Sequence, residues 1–141
     1  MPICYEDAPD IKEKISSLVS NLNLNHVEID RVACIRSKGS SSRNIIARCH
    51  ALPKIMQHAL NTPAHYIIEI ISEKFDRMPE DDQTKTLIHE LLHIPKAFGG
   101  GFIHHNMVNS ATVNKMMQKL KGKTGIHETE ERGQSRRWFF K

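Results

Sequence analysis

No stretch of this chain approaches the run of ~20 apolar residues that a membrane-spanning helix needs, so no membrane partner is expected. The first residues, Met1-Pro2-Ile3-Cys4-Tyr5-Glu6-Asp7, have neither a basic flank nor an apolar core. A secretory signal is therefore not expected, and the cytoplasm is the expected compartment. Cysteine is scarce. Cys4, Cys34 and Cys49 are odd in number and too far apart for a thiolate metal site, so they read as reduced, small hydrophobes rather than a disulfide framework. Internal repeats and interdomain linkers are also missing. The 141 residues suit one domain over 1–121, with a polar tail over 122–141.

The composition is that of an ordinary globular protein, 39% apolar and 26% charged. The net charge of +4 and a pI near 9.1 are mildly basic. That is compatible with nucleic acid as a partner but does not demand it. The densest basic group, Lys115, Lys119, Lys121 and Lys123 with Arg132, Arg136, Arg137 and Lys141, reads as a solvated helix face followed by a tail.

Periodicity gives a coarse order of elements. Ile11, Ile15, Leu18, Val19 and Leu22 recur at helical spacing and predict a helix over 10–24. Residues 27–35 alternate as a strand, and 44–50 form a second strand expected to pair with it. A short helix is expected over 53–60. His65-Tyr66-Ile67-Ile68-Glu69-Ile70-Ile71-Ser72 is the strongest strand of the chain, rich in β-branched residues. Val108, Val113, Met116, Met117 and Leu120 predict a late amphipathic helix that stops at Gly122. The fold class expected is α+β: a small mixed or antiparallel sheet packed against helices.

The segment between the strong strand and the late helix carries the chemistry. Glu80, Asp81 and Asp82 follow Pro79 and place negative charge at a helix N-terminus. Leu87, Ile88, Leu91 and Leu92 form the buried stripe. Pro95 ends the helix near Ile94. Within it lies His89-Glu90-Leu91-Leu92-His93. Two histidines four residues apart face the same way on a helix and can reach one ion. A glutamate directly after the first histidine projects about 100° further round, where it can touch water beside the ion without ligating it. This is the spacing of a zincin-type zinc hydrolase, with Glu90 as the general base.

A catalytic zinc site needs a third protein ligand. No glutamate occurs between Glu90 and Glu128, which argues against a glutamate ligand on a following helix. Lys96 and Gly99 stand where a metzincin has its glycine and third histidine, so that class is excluded. Instead, Gly99-Gly100-Gly101 permits a tight return of the backbone, and His104 and His105 follow. One of these two is the third ligand. The other histidines, His26, His50, His58, His65 and His127, read as structural or exposed, and Met116-Met117 as core filler. The strand bearing Tyr66, Ile68 and Ile70 is expected at the sheet edge beside the cleft, where an extended peptide can add by main-chain hydrogen bonds and Tyr66 can meet an oxyanion.

The run from His89 to His105, HELLHIPKAFGGGFIHH, resembles the signature of the phage metallopeptidase family, found in archaea and phages and related in pattern to SprT-like zinc proteases. The likeness spans roughly residues 30–120, including the extended stretch from Pro63 to Phe75. It implies a zinc metallopeptidase acting on peptide or protein. Position by position, it implies His89, His93 and His105 as zinc ligands and Glu90 as base, with His104 the alternative to His105. Three other functions stand beside it: a SprT-like protease of DNA-associated proteins, a non-catalytic domain that zinc staples together, and a hydrolase of some other amide or ester.

Overall fold

The computed structural model describes residues 2–40, 44–105 and 107–124. The order of elements is β1 (Cys4–Asp7), α1 (Pro9–Asn21), β2 (Val32–Lys38), β3 (Ala47–Ala51), α2 (Lys54–Leu60), β4 (Tyr66–Ile71), α3 (Ser72–Phe75), α4 (Glu80–Leu91) and α5 (Ser110–Thr124). The architecture is α+β. The four strands form one mixed sheet in the order β1-β2-β4-β3.

β4 pairs in parallel with β2 and antiparallel with β3, while β1 adds antiparallel to the outer side of β2. The sheet departs from the expected pairing in two ways. The stretch around 44–50 does not pair with the strand before it; it pairs with β4. Nor is β4 an edge: it lies inside the sheet, and β3 is the edge beside the cleft. A strand hydrogen-bonded on both sides must tolerate burial on both faces, and five of the six β4 residues are buried.

Register sorts the side chains. Val32, Cys34, Tyr66, Ile68, Ile70, Ala47 and Cys49 share the face on which Ile11, Ile15 and Leu18 of α1 and Leu87, Ile88 and Leu91 of α4 pack. Cys34 and Cys49 each stand opposite Ile68, so β4 separates them. Burial pushes the Cys34 thiol up to about 11 and the Cys49 thiol up to about 12, which leaves both protonated and unreactive at neutral pH. Met117 is buried in the same core.

α4 is shorter than its sequence pattern. It starts after Pro79, which is its N-cap, and its α-helical run ends at Leu91. The chain then tightens, with His93 N–H donating to Glu90 C=O and Ile94 N–H to Leu91 C=O. α5 runs through Gly122 to Thr124, so the glycine does not stop it. His127, the basic residues from Arg132 onward and Trp138-Phe139-Phe140 lie outside the described residues. Among the described residues, no helix is long and apolar enough to cross a membrane.

One ion-pair cluster ties α1 to the sheet. Arg36 donates two hydrogen bonds to Asp10, at 2.6 and 2.8 Å, and two to Asp76, at 3.1 and 2.9 Å. The hydrogen bonds from Arg36 hold Asp10 down to about 2 and lower Asp76 as well. A carboxylate whose pKa is depressed by folding stabilises the fold above its unfolded pKa, and that contribution disappears as the pH falls through the folded pKa. Thermal melts should therefore drop between about pH 4 and pH 2. Arg36→Met should flatten that drop. Parallel pH profiles of the two proteins would show the cluster to be irrelevant. Solvent screening keeps the effect modest, since the Asp10 side chain is 58% exposed.

Candidate metal centre

His89, Glu90 and His93 reach the cleft because α4 turns one face toward it while Leu87, Ile88 and Leu91 anchor the other in the core. The cleft is a cavity of about 770 Å³ between α4, β3, the start of α5 and the segment around Phe102. His89, Glu90, His93, Phe102 and His105 all line it.

The potential ligand nitrogens of His89, His93 and His105 lie within 4.8 Å of one another. The rings pack around a common point, with centroid separations of 5.0 Å (His89–His93), 5.5 Å (His89–His105) and 4.6 Å (His93–His105). Three imidazoles around one ion at ~2.0–2.1 Å place their nitrogens about 3.4 Å apart, which small side-chain adjustments reach.

His93 is fixed before any ion arrives. Its Nδ1 faces the carbonyl of Ile103, and a carbonyl can only accept. Nδ1 therefore carries the proton, and Nε2 presents its lone pair. The return bond, from Ile103 N–H to His93 C=O, is 2.8 Å. Phe102 stacks on the imidazole at 4.4 Å with an interplanar angle of 11°. His93 is 1% exposed, and its Nε2 is buried with no hydrogen-bond partner. A buried acceptor without a donor costs stability. A cation shared with His89 and His105 would supply the missing partner.

The electrostatics suit that ion. Burial lowers His89 to about 4, and the His93 and His105 charges push the same way. His93 is lowered too, chiefly by burial. Both rings are therefore neutral at pH 7, the form in which an imidazole can bind a metal. Glu90 is 6% exposed, and burial alone raises its carboxyl to about 7. A carboxyl that titrates near neutrality can both take and return a proton.

His104 stands outside the cluster. Its ring is exposed, with an edge contact to Phe102 at 5.6 Å. Tyr66, Ile68 and Ile70 do not line the cavity, and all three are fully buried. Ile68 and Ile70 belong to the core. Tyr66 Oη donates to Gly101 C=O at 2.8 Å and accepts from Gly100 N–H at 3.0 Å. Its ring meets Phe98 at 4.9 Å, and Arg31 lies over the far partner at 5.5 Å. Tyr66 thus clamps the glycine segment that leads to His105. Sequence reasoning missed this role, and no local signal carries a bond between residues 34 and 35 positions apart. Sequence reasoning also passed over Asp82, Lys85 and Thr86, which line the cavity. The available signal was helical spacing: Thr86, Lys85 and Asp82 lie three, four and seven residues before His89, on the same side of α4.

Tyr66→Phe removes both of these part-buried bonds, to Gly100 N–H and to Gly101 C=O. It should cost about 1–3 kcal/mol in denaturant unfolding. An unchanged midpoint would show that the hydroxyl does not hold the segment.

No curated protein and no solved structure matches this chain. The model of one family does, described as putative phage metallopeptidase, and it matches residues 3–131. That span includes every element from β1 to α5 and the three clustered histidines, and with it the chain belongs to the phage metallopeptidase family.

Proposed function

We propose that this protein is a zincin-type zinc peptidase, with His89, His93 and His105 as ligands and Glu90 as general base. The observation that carries the reading is the orphaned Nε2 of His93, buried within reach of two further imidazoles. Zinc held there supplies Lewis acidity that polarises a carbonyl and brings the pKa of water toward ~7.

The protein's own groups do the rest. Glu90 accepts a proton from the attacking water as its oxygen bonds to the scissile carbon, then delivers that proton to the amine as the C–N bond breaks. Burial near neutrality prepares it for both transfers. Ile103 and Phe102 keep His93 in one orientation.

β3 offers the substrate a place to lie. Ile71 N–H donates to Ile46 C=O, and Leu52 N–H to His65 C=O. In an antiparallel pair this alternation commits residues 46, 48, 50 and 52 to β4. The N–H and C=O groups of Ala47 and Cys49 then point to the open edge, in the cavity wall. An extended peptide adding there would run past the histidines. Glu90 and this edge favour a catalytic site over a zinc staple.

The test is metal dependence. Protein stripped with a chelator should hydrolyse no unfolded protein substrate, and one equivalent of zinc should restore activity. Zinc binding without hydrolysis across a broad set of peptides would overturn the peptidase reading and leave a structural zinc domain.

A further inference from the structure

The cavity extends well beyond the histidines. Along α4, Asp82, Lys85, Thr86, His89 and Glu90 all line it. Asp82 lies seven residues before His89, about 10 Å along the helix axis at 1.5 Å per residue. The lining of the cavity also includes the apolar Ile45, Ile46, Met78 and Val113.

Asp82 is out of place as a surface helix-start residue. It is 8% exposed, and its Oδ1 is buried with no hydrogen-bond partner. A neighbouring acid in the same first turn, Asp81, is instead met by Lys121 at 3.3 Å. A carboxylate with one oxygen unsatisfied, in a cavity whose lining also offers aliphatic side chains, matches a ligand with an apolar stem and an N–H tip. Long amphipathic side chains have that build.

We propose that this end of the cavity is a specificity pocket for an N–H-tipped substrate side chain, and that Asp82 reads the tip. The proposal rests on the peptidase reading above. The stem would pass Ile46, Met78 and Val113, and the tip would donate to the unsatisfied oxygen of Asp82. Lys85, 8% exposed in the same wall, adds a positive charge one turn further on. The tip is charged in lysine and arginine and neutral in glutamine, and Lys85 makes that difference measurable.

The experiment uses the full-length, zinc-loaded protein and one peptide series. A single position on either side of the scissile bond carries lysine, arginine, glutamine or norleucine, which keeps the stem and lacks the tip. At one position, an N–H-tipped residue should raise kcat/KM about 10–100-fold over norleucine. Asp82→Leu, which keeps the branched shape and removes both acceptor oxygens, should collapse that ratio while zinc content stays as in the wild type. A wild-type protein that cleaves norleucine peptides equally well overturns the pocket without any variant. So does an Asp82→Leu protein with the wild-type ranking. The same labelled peptides are titrated by fluorescence anisotropy onto Glu90→Gln protein. Discrimination in binding with no hydrolysis by the wild type would uphold the pocket and sink the peptidase. Hydrolysis without discrimination would do the reverse.

Discussion

Glu90→Gln should leave the zinc content unchanged and cut peptide hydrolysis by about 10²–10⁴-fold, the usual contribution of a general base. Glutamine keeps the shape and loses only the ability to take a proton. The side chain is 6% exposed against the core stripe of α4, so a smaller residue would add a cavity and confuse the result. The same variant makes a second prediction in metal-free protein. Burial raises the Glu90 carboxyl from 4.5 to about 7. A group whose folded pKa is raised favours the fold while protonated, and that advantage is lost as the pH climbs from its unfolded value through its folded one. Metal-free wild type should therefore lose stability between about pH 4.5 and pH 7, and Glu90→Gln should not. Full activity in the variant would remove Glu90 from the chemistry. Melting curves that keep the wild-type pH slope would remove the burial argument.

What the chain displays openly is periodic chemistry. The stripe of α4 and the spacing of His89, Glu90 and His93 are set by helix geometry, so they can be read without a fold. The third histidine is different. His105 joins the others only because the backbone returns through Gly99–Gly101, and that path depends on bonds to Tyr66 and to Gln57, whose amide also donates to Leu52 C=O. Its assignment came from likeness to a family rather than from spacing.

Sheet topology was the least legible part. β1 has four exposed residues and no alternation to betray it. β3 is only half-buried, so its pattern does not say whether β2 or β4 is its partner. The position of β4 did have a signal. Ile67-Ile68-Glu69-Ile70-Ile71 is a nearly continuous apolar run, as interior strands have, and alternation would be expected of an edge exposed on one face. Glu69 interrupts that run, yet it is buried as well, accepting from His50 Nε2 at 2.7 Å. Tyr66 then follows: on an interior strand it faces the core, where its hydroxyl must find a backbone partner.

Gly100→Ala should weaken zinc binding about 10–100-fold, the scale on which groups supporting metal ligands act. Gly100 has φ +106°, a conformation that costs an L side chain about 1–3 kcal/mol. An added Cβ would also lie 2.5 Å from Gln57 Nε2 and 2.8 Å from Leu52 O. The glutamine tip can swing away, but it now donates to both Leu52 O and Gly99 O, so moving it breaks two bonds. The Leu52 carbonyl is backbone and cannot yield without shifting the end of β3. The cheaper response is for the glycine segment to move. That pulls Gly100 N–H off Tyr66 and displaces Ile103, whose carbonyl orients His93. Gly99→Ala is the control: its Cβ would meet only Ala97 O, at 3.9 Å, and its backbone needs no special φ. Competitive zinc titration of the two variants should separate them, with Gly99→Ala close to wild type. Equal affinities would mean that the histidines find the ion regardless of the path between them, and that the clamp from Tyr66 to Gly101 serves the fold alone.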